Sequence, residues 1–526
     1  MANILEIALQ LHKAGRLDEA AALYRRVLIE YPDQADSLHL LALAGQKAGR
    51  PQTKLPGLRR AVHSQPELLP AHNNLAQTLQ EVGLIDEAEV HYRKVLAGEP
   101  DNLAIAARLC QILMNTGRID EAEPILRRLR DWQEGRERTE LALERIAIQR
   151  RIRAAAADPS LPSGLVVRGV FRDNSGYAYK VRQFVRHFVA AGVPVHLVDL
   201  LYQPMTNLAD HQIDPLFHTL NRPVRAKAVL NFTTPPVVEV VEGLKTITYS
   251  VIETTRLLPL WANHSPRHDA TIVATTSSRD AWTASGCPAE RIHICPEGVE
   301  AVTSDLPPLN LRDDGGRHIS DYPVRILNVS DFAVRKNLEG LLRVWLRATS
   351  AGQDAALILK IGKSANLDGE FQHVIARAVQ DAGKPVNAAA PIFIITGQMT
   401  DAEMLNLYGT ATHYWSMSHG EGWDLPMTQA GAMGLTLLAP NHSAYRDYLN
   451  DDVAFLIPST VTDGKREYGP QQWWTPDEHA AIELIGAIAD GSLRERRSAQ
   501  RHLLDNFSWE RSTGRLIGIL EGLEAL

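Results

Sequence analysis

The first 130 residues carry a period of 34, and nothing else in the chain limits the possible folds as strongly. Written in rows of 34, Gly15, Gly49, Gly83 and Gly117 share one column, and Pro32, Pro66 and Pro100 share another. Ala8, Ala42, Ala76 and Cys110 fill a column of small residues and Ala20, Ala88 and Ala122 a second, while Tyr24, Leu58, Tyr92 and Leu126 fill a column of large ones. A fixed period of this length means one supersecondary unit copied several times, each copy leaving an apolar face that only the next copy covers.

These columns resemble the tetratricopeptide repeat, a pair of antiparallel helices with small residues where they cross and a proline after the second. The resemblance implies a short solenoid over 1–130 with a concave groove. The second row departs from the pattern at Lys54 and Pro56, so its second helix is expected to be distorted, and the fourth row lacks its proline. Such a groove could bind a peptide; equally, the arm could pack on the rest of the chain or make a homodimer. Residues 131–157 set charges around a Leu/Ile stripe, the pattern of a polar-faced capping helix. With the linker DPSLPSG this makes a connecting segment over 131–164.

At 526 residues the chain exceeds what one core supports, and two to four domains are expected. The net charge of −7 is spread without long runs of one sign, which argues against nucleic acid or an anionic membrane as the main partner. Cys110, Cys287 and Cys295 lack metal-site or disulfide-framework spacing and read as reduced, buried thiols. The N-terminus has acids where a signal peptide needs a basic start, and no apolar run approaches the roughly 20 residues of a membrane helix. A cytoplasmic protein with no integral membrane segment is expected.

From 165 the pattern changes to strand, turn and helix. LVVRGVF reads as a strand, RDNSGY as a turn and AYKVRQFVRHFVAAG as a helix, with the strand VPVHLVDL following. That is the opening unit of a doubly wound α/β domain, in which ligands sit beyond the C-terminal strand ends. Ser175 and Gly176 are therefore candidate contacts. AVLNF, TITYSVIE and ATIVATTS read as further buried strands. Glu253, placed at one strand end, could orient a hydroxyl or act as a base, or pair with Arg256. RIHICPEGVE closes this domain, 165–300, and the Pro/Gly-rich residues 301–323 read as an interdomain linker.

A second α/β domain, 324–507, opens with the strand VRILNVS and the helix RKNLEGLLRVWLRA. Arg335 and Lys336 stand at that helix's start, where cations are disfavoured by the helix dipole unless an anion is near. ALILKIG and PIFIITG are further strands, and after the helix DAEMLNLYGTA comes ATHYWSMS followed by HGEGWDLPMTQAGAMG. Pro426 suits a helix's first turn, and the amides of Leu425, Met427 and Thr428 are expected to face forward as an anion site.

The order VSDFAVRKN, IITGQMTDAEMLNLY, SHGEGWDLPMTQAGAMG and APNHSAYRDYL resembles the C-terminal half of a retaining glycosyltransferase of family 4, with the GT-B fold of two Rossmann-like domains. SGYAYKVRQFV, ETTRLLPLW and ICPEGVE are similar to its N-terminal half. The resemblance covers about 165–526 and implies a nucleotide-diphosphate sugar as donor, UDP- or GDP-linked, with no further cofactor. It implies that Arg335 and Lys336 bind the diphosphate, with the adjoining Asn337 a further candidate donor contact, and that Gly397, Gln398 and Met399 contact the base. It also places Glu421 near the donor sugar, with Asp424, Leu425, Pro426 and Met427 beside the phosphates. Catalytic roles then fall to Glu421, Lys336, Arg335 and Glu253. The final residues, 508–526, resemble the family's last helix, which crosses back to the first domain.

One position departs. The family usually has a second glutamate eight positions after the first, on the ribose, and this chain has Gln429. An amide oxygen still accepts a ribose O–H but lacks the charge that roughly doubles such a bond's strength. No two aspartates stand two apart, so the metal-holding Asp-x-Asp pair is absent and no metal site is expected. The tandem Trp473 and Trp474 could stack on a sugar or pack a loop. Three readings are open: a transferase acting on an acceptor recruited by the repeat arm, such as a protein; a transferase for a polysaccharide or lipid-linked glycan, with the arm for oligomerisation; and a non-catalytic scaffold degenerate at Gln429.

Overall fold

The computed structural model describes residues 2–45, 54–130, 136–200, 208, 212–301, 309–362, 367–464 and 471–526. Outside these residues lie Gly49 of the repeat, the first five residues of the expected capping helix, and 302–308 of the expected linker. The arm consists of the helices α1 Ala2–Lys13, α2 Leu17–Glu30, α3 Ala35–Ala44, α4 Leu55–Ser64, α5 Leu69–Glu81, α6 Ile85–Gly98, α7 Leu103–Asn115 and α8 Ile119–Leu129. Each packs mainly on its neighbours in sequence, as a repeat solenoid requires. Gly15, Gly83 and Gly117 end their first helices at φ 75, 82 and 79°, the left-handed region that only glycine enters freely, which accounts for their column. The helix of the second row forms despite Lys54 and Pro56. Pro56 falls in the first turn of α4, where a missing N–H costs nothing.

α9, Arg136–Ala156, leaves the solenoid and fixes it to the first α/β domain. Its Arg145 and Gln149 converge on the fully buried Glu239, which Arg168 joins at 2.7 Å. The arm also docks directly. Asp86 pairs with Arg267 at 2.8 Å, Asn263 donates to the Val82 carbonyl at 2.8 Å, and the Val240 amide donates to the Asn115 carbonyl at 3.1 Å. The helix turns of the third and fourth repeats thus lie against the first α/β domain.

The first sheet is built from β1 Ser163–Gly169, β2 Val195–Asp199, β3 Arg225–Phe232, β4 Lys245–Tyr249, β5 Ala270–Val273 and β6 Ile292–Ile294, with α10, Gly176–Ala190, after β1. All pairs are parallel, in the order β2-β1-β3-β4-β5-β6. The second sheet contains β7 Val324–Asp331, β8 Ala355–Gly362, β9 Ile392–Ile395, β10 His413–Trp415, β11 Thr436–Pro440 and β12 Ala454–Ile457. It too is all-parallel, in the order β9-β8-β7-β10-β11-β12, the doubly wound arrangement whose chain direction reverses between β7 and β10. A small antiparallel hairpin comes after it, β13 Ser459–Asp463 with β14 Gln472–Pro476.

The last helix, Trp509–Gly522, puts Trp509, Leu516 and Leu520 into the core of the first domain. A shared apolar cluster also joins the domains, with Val251, Ala274 and Val299 packed among Trp423, Met427 and Tyr448. A tetratricopeptide solenoid followed by two Rossmann-like domains facing each other, tied by a returning helix, is the GT-B architecture with an added arm. Among the described residues no helix is long and apolar enough to cross a membrane. The three cysteines are buried.

Candidate functional site

The reversal between β7 and β10 leaves a crevice beyond their C-terminal ends, and both loops that enter it carry charge. After β7 the chain makes a short turn, Val334–Lys336, before Asn337 at φ 52° caps the helix Leu338–Ala348. After β10 it runs through Ser418 to Glu421. Arg335 and Glu421 meet at 2.8 Å, and Lys336 and Glu421 at 2.7 Å. The Arg335 guanidinium also reaches Glu253 of the first domain at 3.3 Å. The anion that the cations at this helix start called for is therefore, in this structure, the Glu421 carboxylate.

Glu253 stands four residues beyond β4, not at its end. The last bond of the β4–β5 ladder is that of the Ser250 amide to the Ile272 carbonyl, at 2.9 Å. The carboxylate pairs with Arg335, while Arg256 donates to the Ala284 carbonyl.

Burial alone would raise the Glu421 carboxyl, but Arg335 and Lys336 outweigh it and hold it well below the usual range. Asp424 goes the other way. Burial and the neighbouring Glu421 charge raise it, against the opposing pull of Lys336, of the Tyr445 hydroxyl, which donates at 2.8 Å, and of Arg335. Its other oxygen is buried without a hydrogen-bond partner among the described residues. Asp424 itself sits at φ 69°, a strained position for a residue with a side chain.

The expected amide nest is smaller than the sequence implies. The Asp424 carbonyl takes the amides of Met427 at 3.1 Å and Thr428 at 3.2 Å, and Pro426 has none. Of the three expected donors, the Leu425 amide alone is not taken by that carbonyl. The backbone is nevertheless brought close. A side chain at Gly420 would place its Cβ 1.9 Å from the Glu253 carbonyl, so only glycine lets the two domains meet there.

The other candidates fall into two groups. Gly176 faces Leu425 across the cleft, 3.8 Å from a Cβ built on it, and Asn174 donates to Gln398 at 3.1 Å. Gly397 lies at φ 93° and its carbonyl accepts from Lys360 at 2.7 Å. Met399 packs on the shared cluster. Ser175 and Asn337, by contrast, spend their side chains on helix caps, and Asn337 also donates to the Met417 carbonyl at 3.0 Å. Gln429 donates its amide N–H to the Glu300 carbonyl at 2.7 Å, a bond that an ionised glutamate could not make. The Glu300 carboxylate in turn accepts from Tyr179 and Gln183 at 2.9 and 2.8 Å.

The tryptophans are occupied by protein: Trp473 stacks on His419 at 4.4 Å and Trp474 on His442 at 5.2 Å. Sequence reading missed His442, Ser443 and Tyr445 as parts of this site. The signal was the segment NHSAYRDY after β11, whose polar residues follow a strand end in the same crevice. It also missed Tyr177, whose phenol lies among Glu253, Glu297 and Arg335 and whose ring faces the Lys180 ammonium at 4.4 Å. Among the described residues no three His, Cys, Asp or Glu side chains form a metal-ligating group.

A tetratricopeptide-repeat model matches residues 79–145. No curated protein matches the chain in sequence. Among solved structures, it is similar to the Anabaena protein HepE in complex with UDP and glucose, at 11% identity over 68% of this chain and 99% of that one, TM-score 0.46. Sucrose-phosphate synthase from Thermosynechococcus elongatus aligns at 15% identity over 69% and 99%, TM-score 0.49. An O-GlcNAc transferase mutant from Thermobaculum terrenum aligns at 14% identity over 98% and 96%, TM-score 0.38. None of these similarities reaches the level at which an activity transfers.

Proposed function

We propose that the chain is a retaining glycosyltransferase of the cytoplasm that moves a sugar from a nucleotide-diphosphate donor to an acceptor recruited by the repeat arm, a protein in the first instance. The observation that carries this is the cluster Glu253–Arg335–Glu421–Lys336 at the β7/β10 switch point, with charged groups from both domains on one guanidinium. When the bond from the sugar to the diphosphate breaks, negative charge gathers on the departing phosphate. Arg335 and Lys336, held in advance and largely shielded from water, stabilise that charge without a metal. Glu253 is the more exposed of the two carboxylates on Arg335 and the one an incoming diphosphate can displace. The acceptor hydroxyl then attacks from the face the nucleotide leaves, and its proton passes to the leaving phosphate, so the configuration at the sugar is retained.

Support for acceptor recruitment comes from the arm's mounting. Its third repeat docks on the first domain at Asn263 and Arg267, in the segment that follows Glu253, which supports a solenoid standing on the acceptor side of the cleft. A panel of UDP- and GDP-sugars assayed for donor hydrolysis identifies the donor. Removing residues 1–130 then tests the arm: transfer to the acceptor should fall while donor hydrolysis persists. Unchanged transfer with a changed oligomeric state would favour a glycan or lipid-linked acceptor and an arm for assembly. One observation favours the non-catalytic reading, the commitment of the Gln429 amide to the Glu300 carbonyl. Absence of hydrolysis with every donor would support it.

A further inference from the structure

We propose that Gln472, Trp473 and Trp474 are positioning residues for the charged cluster, three consecutive residues each tied through one or two intervening residues to a different member of Glu253–Arg335–Glu421. The inference rests on the donor-diphosphate reading of that cluster. These residues open β14, in the hairpin that stands apart from both six-stranded sheets.

The Gln472 carbonyl accepts from the Thr255 amide at 2.9 Å and its hydroxyl at 3.2 Å, two residues beyond Glu253. Trp473 stacks on His419 with ring planes 16° apart, and the His419 amide donates to the Arg335 carbonyl at 2.8 Å. Trp474 stacks on His442 at 9°, and His442 bonds the Ser418 carbonyl at 2.9 Å and the Ser443 hydroxyl at 2.8 Å. That hydroxyl accepts the Glu421 amide at 3.3 Å. Ser443 keeps φ 40°, a left-handed conformation that its surroundings must hold in place.

The segment is anchored by backbone to both domains. Trp474 donates its amide to the His419 carbonyl at 2.9 Å and accepts from the His419 ring at 2.8 Å, while Gln472 holds Thr255. Two strand residues span about 7 Å, so one short rigid piece fixes how far the anchor of Glu253 lies from that of Glu421. Successive strand side chains point to opposite faces, which lets adjacent tryptophans serve two different histidines. A merely packed hairpin would not need its main chain bonded on both sides of the cleft.

His442 gives the arrangement a chemical readout. Burial drives its pKa down to about 3, with the Ser418 carbonyl and Glu421 opposing and His419 and Arg446 adding to the fall. Trp474 covers one face of that ring. Replacing it with alanine admits water, lets His442 rise toward its ordinary value of about 6.5, and sets an imidazolium near Glu421.

The test uses the full chain with Trp474→Ala, Trp474→Phe and Trp473→Ala. It measures donor hydrolysis against pH, the nucleotide dissociation constant, and amide exchange over 418–424. Trp474→Ala and Trp473→Ala should each lower kcat about tenfold or more, because small misplacements at a reacting centre are costly, while KM for the donor moves far less. Trp474→Ala alone should also add an acidic limb to the profile and speed exchange over 418–424, and Trp474→Phe should restore kcat, profile and exchange. Equal loss in Trp474→Phe, or a lower melting temperature with unchanged kcat, pH profile and exchange, overturns the proposal. A parent protein that binds no nucleotide removes the proposed function before any variant is made. The exchange data then still decide whether this segment holds 418–424.

Discussion

The two α/β domains have sheets of the same size, both wholly parallel, yet they contribute differently to the cleft. The second sheet, β9-β8-β7-β10-β11-β12, reverses between the two strands whose loops carry Arg335, Lys336 and Glu421. The first, β2-β1-β3-β4-β5-β6, reverses between β1 and β3, and the helix start after β1 offers the Ser175 cap and Gly176, neither of them charged. Its one carboxylate in the cluster, Glu253, comes from a loop beyond β4. Its most buried ion pairs serve other ends: Glu239 mounts the arm, and Lys180 pairs with Glu297 at 3.0 Å inside the domain. Similar sheets have thus been put to separate uses, one carrying the charged cluster and the other the seat of the arm.

The comparison can be broken by removing carboxylates one at a time. Glu421→Ala leaves Arg335 and Lys336 without their buried partner and should cost about 3–5 kcal/mol of stability in denaturant titration. Glu253 is 30% exposed, and Glu253→Ala should cost under about 1 kcal/mol. If burial and not domain sets the cost, Glu239→Ala in the first domain should match Glu421→Ala, again about 3–5 kcal/mol, because it strands Arg145 and Arg168. A similar small loss at all three positions would contradict the division of labour.

A smaller effect belongs to Gln429. Restoring the glutamate that the family resemblance leads one to expect would turn a donor into an acceptor facing the Glu300 carbonyl. Gln429→Glu should therefore destabilise the protein by about 1–3 kcal/mol, read as a lower denaturation midpoint, and should not tighten nucleotide binding. Tighter binding with unchanged stability would show that the Glu300 bond is incidental.

The smallest effect is a slope with pH. Asp424 has its folded-state pKa raised, so the native state binds its proton more readily than the unfolded chain. Its contribution favours folding at low pH and is lost as pH rises from the ordinary carboxylate range, about 4, through the raised value. Glu421 is depressed, and its contribution is present above that range and lost only as pH falls below it. Asp424→Asn should flatten the decline in melting temperature just above pH 4 and leave the acid side unchanged. A decline that persists in the variant would assign it elsewhere.

The repeat arm was legible residue by residue, because each column has a local cause. Gly15, Gly83 and Gly117 mark left-handed turns, and the small residues mark helix crossings. The strands were legible as short apolar runs, and Arg335, Lys336 and Glu421 as charges after strand ends. Partners were not legible. Nothing local tells that the cations face Glu421, that Glu253 prefers Arg335 to Arg256, or that Trp473 and Trp474 lie on histidines, since each pair is set by the packing of one loop or domain on another. The amide nest failed for a simpler reason. A proline in the first turn and a carbonyl shared by two amides leave few donors, and that sharing depends on the Asp424 backbone angle, which no residue type announces.

The central claim is that the Arg335–Lys336–Glu421 cluster receives a nucleotide diphosphate. Its most direct test is calorimetric titration of UDP and GDP into the full-length protein and into Lys336→Ala. The account predicts saturable binding of one of them to the parent and a loss of about 2 kcal/mol or more in the variant, the size of a charge-assisted contact, with the fold intact by circular dichroism. Binding of equal strength in both proteins, or none in the parent, would contradict it.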